Sequence, residues 1–209
     1  DDRVTMALQT TPGRFGAPRI VAAGVAPSEL SLFDVDGDRR PDIVVSGLLT
    51  WSGGTMSGTG TTATNGGMAM PGATGKTLTR TLNHGNGQTA TLSGTGGLNI
   101  NTPGIFNNEA NATFVLSSDC SINGSGTFAN AGTFQRTTSP GTAFASVAFT
   151  NAGTVEVLSG TFQISGPSYT QTAGSTLLNG GNITNSFPLL IQGGTLGGVG
   201  TITGNINNS

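Results

Sequence analysis

The stretch Phe128-Ala129-Asn130-Ala131-Gly132-Thr133-Phe134 is followed by Phe149-Thr150-Asn151-Ala152-Gly153-Thr154-Val155-Glu156-Val157. One phrase is written twice: an aromatic, a polar Asn-Ala-Gly-Thr corner, then an alternating run. Looser copies flank it, at Phe106–Phe114 and Asn83-His84-Gly85 before it, and at Ala173–Leu177 and Gly194–Leu196 after it. The Thr residues taken to open each run are Thr113, Thr133, Thr154, Thr176 and Thr195, at spacings of 20, 21, 22 and 19. A period in this range marks a solenoid, in which one repeat is one coil that cannot bury its apolar face alone.

The coil type follows from local chemistry. Thr154–Leu158 and Thr161–Ser165 alternate apolar and polar, the period of a half-buried strand. Each run ends at Gly or Asn, which tolerate tight corners. No stretch carries a capped helical period. Two or three short strands with their corners use about 20 residues, which predicts an all-β parallel β-helix of ~20–22 residues per coil. Asn and Thr recurring at one place in successive coils are expected to stack in ladders. The inward set is expected to be Phe114, Phe134, Val155, Val157, Phe162, Ile164, Leu177, Leu196 and Ile202.

Composition narrows the function classes. Glycine accounts for 35 of 209 residues and charged residues for only 9%, with a net charge of −2. So weak a field gives no basis for binding nucleic acid or anionic lipid. No apolar run approaches the ~18 residues of a membrane helix. The single cysteine, Cys120, excludes an intramolecular disulfide framework and reads as a buried inert thiol. The chain begins Asp1-Asp2, which reads as a processed or partial chain with a signal peptide removed.

Charge is unevenly divided. Residues 1–47 hold seven acids and five arginines, while 48–209 hold three acids (Glu109, Asp119, Glu156) and three bases (Lys76, Arg80, Arg136). That step places a boundary near Gly47, between a small N-terminal strand module (1–47) and the solenoid (48–209). The module carries the loop Asp34-Val35-Asp36-Gly37-Asp38-Arg39-Arg40-Pro41-Asp42. Carboxylates at loop positions 1, 3, 5 and 9, with the Arg40 carbonyl at position 7, can converge on one hard cation. The expected metal set is Asp34, Asp36, Asp38, Arg40 (carbonyl) and Asp42, and the expected ion is calcium. Val45 stands where an EF-hand has its bidentate Glu.

Arg14-Phe15-Gly16-Ala17-Pro18, a strand and then this Asp loop resemble one FG-GAP or VCBS-type repeat, over residues 4–46. The resemblance implies an extracellular, calcium-binding strand module of the kind that builds β-propeller blades. Arg39 stands where that family usually has Gly, and one copy cannot close a propeller. From Leu48 onward, phrases such as Thr50–Gly60 and Gly193–Asn205 are similar to bacterial surface proteins with β-helical repeats, the autotransporter passengers and adhesins. This implies an extracellular or cell-surface location and a structural or adhesive role.

Other chemistry finds little support. Gly72–Thr77 fails the phosphate-loop spacing at Met70, so Lys76 reads as a solvated corner. His84 and Cys120 could form a base–nucleophile pair, but His84 reads as a corner residue in the place of Ala131 and Ala152. Glu109 and Glu156 appear near equivalent coil positions, two coils and ~10 Å apart, at the edge of what paired carboxyls need. The expectation is a non-enzymatic extracellular structural protein, either a fibre subunit that forms a homopolymer by head-to-tail contacts or a surface adhesin, with residues 1–47 folding back as a cap as the alternative to head-to-tail assembly. The alternative is a β-helix that binds or degrades polysaccharide.

Overall fold

The structure is a computed structural model and describes residues 3–6, 9–11, 14–15, 19–23, 30–34, 37, 39–85 and 87–209; before residue 34 it describes backbone pairing alone. Among the described residues every regular element is a β-strand. The chain winds into a parallel β-solenoid. One face is an eight-stranded parallel sheet running from Leu49–Thr50 through Thr113–Leu116, Thr133–Arg136 and Thr154–Val157 to Thr195–Val199. A second face runs from Gly54–Met56 through Lys76–Leu78 and Leu98–Ile100 to Ile202–Thr203. A third runs from Asp42–Val45 through Thr61–Thr64, Thr81–His84 and Ile105–Asn108 to Ile206–Asn208. Two ten-residue strands, Ser121–Asn130 and Thr142–Asn151, bend across the second and third faces as one element.

Alternation within each strand decides what enters the interior. Thr133–Arg136, Thr154–Val157 and Thr161–Ile164 each bury their second and fourth residues. Parallel in-register stacking then turns each buried position into a file along the axis. Phe106, Phe128, Phe149 and Tyr169 stack with ring centroids 5.1, 5.0 and 5.4 Å apart. Phe114 and Phe134 stack at 5.5 Å and meet that file edge-on, Phe114 with Phe128 at 5.0 Å and Phe134 with Phe149 at 5.3 Å. Each buried ring contributes roughly 1.5–3 kcal/mol through area alone, and the pair geometry adds to it. The glycine of the Asn-Ala-Gly-Thr phrase has a packing reason: a Cβ on Gly153 would collide with the Gly132 carbonyl one turn below.

Thr113, Thr133 and Thr154 stack in register, but Thr154 pairs with Ser175, and Val155 pairs with Thr176. The spacings are therefore 20, 21, 21 and 20. This corrects one member of the expected core. Thr176 is buried, whereas Leu177 faces outward and Leu178 fills the interior. Because side chains alternate with period two, a slip of one residue exchanges the two faces. Phe114, Phe134, Val155, Val157, Phe162 and Ile164 are buried, while Leu196 and Ile202 are partly buried against the core at the last turn.

Before the solenoid, Arg3–Met6 pairs antiparallel with Arg19–Ala23, and Gln9–Thr11 with Arg14–Phe15. Leu30–Phe33 and Asp42–Val45 form an antiparallel hairpin around the Asp loop. Asp42–Val45 also pairs in parallel with Thr61–Thr64, so this hairpin is hydrogen-bonded directly to the third face.

Candidate functional site

Three places hold the chain's chemistry: the Asp loop, a polar seam inside the third face, and a groove outside it. In the loop, the Asp34 carboxylate accepts the Gly37 N–H at 2.8 Å on one oxygen and the Arg39 N–H at 2.9 Å on the other. Gly37 and Arg39 have φ of 80° and 64°. Arg39 thus adopts a left-handed conformation that glycine takes freely and a longer side chain resists. Asp42 is buried and accepts the Thr61 N–H at 2.6 Å, and the Arg40 guanidinium reaches the Thr59 carbonyl at 3.4 Å. Burial lowers the pKa of Arg80, and the nearby Asp42 carboxylate opposes that shift. Asp36 and Asp38 lie outside the described residues. A carboxylate oxygen that accepts one N–H keeps a further lone pair, which is the donor type a hard cation takes. Asp34 suits such a role, while Asp42 is engaged in tying the hairpin to the next turn.

The seam is the last inward position of six consecutive third-face strands: Thr64, His84, Asn108, Asn130, Asn151 and Gln171, in register. Asn108 Nδ2 donates to Asn130 Oδ1 at 2.8 Å, Asn130 Nδ2 to Asn151 Oδ1 at 2.8 Å, and Asn151 Nδ2 to Gln171 Oε1 at 3.4 Å. The same nitrogens donate to carbonyls of the following corner: Asn108 to Thr133, and Asn130 to Thr154, both at 3.0 Å, and Asn151 to Ser175 at 3.1 Å. At the end of the seam the Tyr169 hydroxyl donates to Thr176 Oγ1, which donates to Gln171 Oε1 at 2.7 Å. These bonds satisfy the hydroxyl that the register brings inside, and burial pushes the Tyr169 phenol well above its ordinary range.

His84 belongs to this seam, in register with Asn108 and not with Ala131. Its Nδ1 lies 3.0 Å from Thr64 Oγ1. Its Nε2 meets no acceptor at hydrogen-bonding geometry, although the Gln88 and Thr113 carbonyls are close enough to favour the protonated ring. Burial outweighs them and lowers the imidazole pKa. Asn108 Oδ1 is likewise left without a donor among the described residues. The imidazole Nε2 carries at most one hydrogen and makes no hydrogen bond to Asn108 Oδ1. His84 makes no hydrogen bond to Cys120, whose buried sulfur is instead 3.2 Å from Ser118 Oγ. Burial pushes that thiol's pKa up.

Buried cations escaped the sequence reading. Lys76 is not a solvated corner. It is fully buried, pairs in register with Leu98, and donates from Nζ to the Thr74 carbonyl at 3.0 Å. Burial lowers its pKa. The alternation of Lys76-Thr77-Leu78 against Leu98-Asn99-Ile100 was the available signal. Arg136 is also fully buried and donates to the Thr137 and Ser139 carbonyls at 3.0 and 3.1 Å, and to the Asp119 carboxylate.

The groove holds about 400 Å3 where the third face turns into the first. Asn83, Asn107, Ala129 and Thr150 stack in register along one side. Glu109, Ala131, Ala152 and Thr172 form the corner beside them, each backbone N–H reaching a carbonyl one turn earlier. Glu156 lies elsewhere, outward on the first face, where Gln135 Nε2 donates to it at 2.9 Å. Glu109 and Glu156 are therefore not equivalent positions, and the structure does not bring the two carboxyls together.

No family model, curated protein or solved structure matches the chain.

Proposed function

We propose that the chain is a structural module of an extracellular or cell-surface protein, a rigid β-solenoid shaft of the fibre or adhesin kind. The observation that carries this reading is the unbroken run of axial contacts, the Asn108–Asn130–Asn151–Gln171 ladder beside the Phe106–Phe128–Phe149–Tyr169 stack. Such files tie each turn to the next and resist bending and shear, as a spacer requires. The Asp loop serves this reading as a calcium clip on the N-terminal hairpin. In the fibre form, subunits meet head to tail. Leu196, Ile202 and Ile206 stand in register with the core positions Thr176, Ile183 and Leu189, and Ile206 is 47% exposed.

Electron microscopy or small-angle scattering of the purified chain tests the reading. A stiff rod is expected, with eight turns contributing roughly 40 Å of axis at ~4.8 Å per turn. A flexible or collapsed particle overturns it.

A further inference from the structure

The outer groove has the composition of a binding surface, and its chemistry selects a ligand. It spans four turns, so its floor is ~14 Å long from the first strand to the fourth. Its side chains are amides, hydroxyls, alanine methyls and one carboxylate, with no cation among them. Asn107 Nδ2 donates to Asn83 Oδ1 at 2.8 Å. The Asn83 amide nitrogen, the Asn107 Oδ1 and the Glu109 carboxylate then have no side-chain partner among the described residues, and Glu109 is half-buried.

Each class of ligand meets this surface differently. An anionic chain would face Glu109 with no compensating charge. A hard cation needs six or more oxygens, and one carboxylate with scattered amides does not supply them. An extended peptide binds by pairing with a free strand edge, but here the backbone groups are already paired between turns. A polyhydroxylated neutral chain fits all of it. Its hydroxyls exchange hydrogen bonds with Asn83, Asn107 and Glu109, and its C–H faces pack on Ala129, Ala131 and Ala152. We propose that the groove binds a neutral, linear glycan laid along the solenoid axis. This goes beyond the shaft reading and is independent of it: rod length tests one and ligand binding the other.

The test uses the full chain and hexasaccharides of cellulose, starch, xylan and chitin, with polygalacturonate as the acidic control, followed by calorimetry and amide chemical shifts. At least one neutral probe is expected to bind with a Kd of about 1 mM or tighter. Ala131→Trp, at an exposed position in the groove, is expected to weaken that binding at least tenfold with an unchanged melting temperature, and Glu109→Gln several-fold. Ala152→Trp repeats the block one turn further if the first variant misfolds. Binding by none of the neutral probes, binding only by polygalacturonate, or binding unaffected by both tryptophans overturns the proposal.

Discussion

Asn130 Nδ2 lies 2.8 Å from Asn151 Oδ1, exactly one turn of chain away, and also donates to the Gly132 and Thr154 carbonyls at 3.2 and 3.0 Å. One buried amide thus closes its own corner, reaches the next corner and joins its counterpart.

Asn130→Leu removes all of these bonds from a buried site, takes the donor from Asn151 Oδ1 and leaves the Asn108 nitrogen with only its carbonyl acceptors. Each orphaned buried group costs about 1–3 kcal/mol. A loss of roughly 3 kcal/mol is expected in denaturant unfolding, with the solenoid circular dichroism signal retained below the transition. A loss under about 0.5 kcal/mol would mean the ladder is ornamental.

His84 offers the converse experiment. His84→Asn restores the second hydrogen to the seam and gives Asn108 Oδ1 a donor, for an expected gain of about 1 kcal/mol. The substitution also changes the pH response. Burial depresses the folded-state pKa of this base below its unfolded value of about 6.5. The unfolded chain therefore takes up the proton first. The stability that the neutral ring contributes is present above that value and is lost as pH falls through the folded pKa. Melting curves between neutral and mildly acidic pH should show a smaller decline for His84→Asn than for the parent. Equal declines would remove His84 as the cause.

Phe134 is fully buried and its ring meets Phe114, Phe128, Phe149 and Phe162. Phe134→Ala opens a cavity where two files interlock, and about 3–5 kcal/mol is the expected cost. The parallel stack makes collapse of that cavity difficult, since neighbouring rings are held by turns on both sides. Chemical unfolding measures it.

Calcium removal is expected to loosen the hairpin around Asp34 and Asp42 while leaving the later turns intact. Hydrogen exchange with and without chelator reads this directly. Faster exchange confined to residues 30–45 supports the clip, and an identical exchange pattern at millimolar calcium rules it out.

Head-to-tail stacking should appear in sedimentation as concentration-dependent growth of the particle. Ile202 pairs in register with buried Ile183 at the last turn and is partly exposed. Ile202→Lys places a charge on that apolar end and is expected to abolish growth without unfolding the turns behind it. A parent chain that stays monomeric at high concentration decides against the fibre form.

The sequence alone determined the architecture, because the forces that make a solenoid are local and repeated. The period of about 20, the alternation in Thr154–Val157 and Thr161–Ile164, and the Asn-Ala-Gly-Thr corner each follow from strand geometry and from close stacking at Gly153. The tertiary structure decided parity and neighbourhood. Whether Thr176 or Leu177 points inward depends on which residue pairs with Thr154, and corner lengths vary enough to shift that pairing by one. The same parity placed Lys76 in the interior and His84 in the amide seam, where sequence reading set both in corners. The groove was illegible for a related reason. Asn83, Glu109, Ala131 and Thr150 are far apart along the chain, and only the stacking of turns makes them one surface.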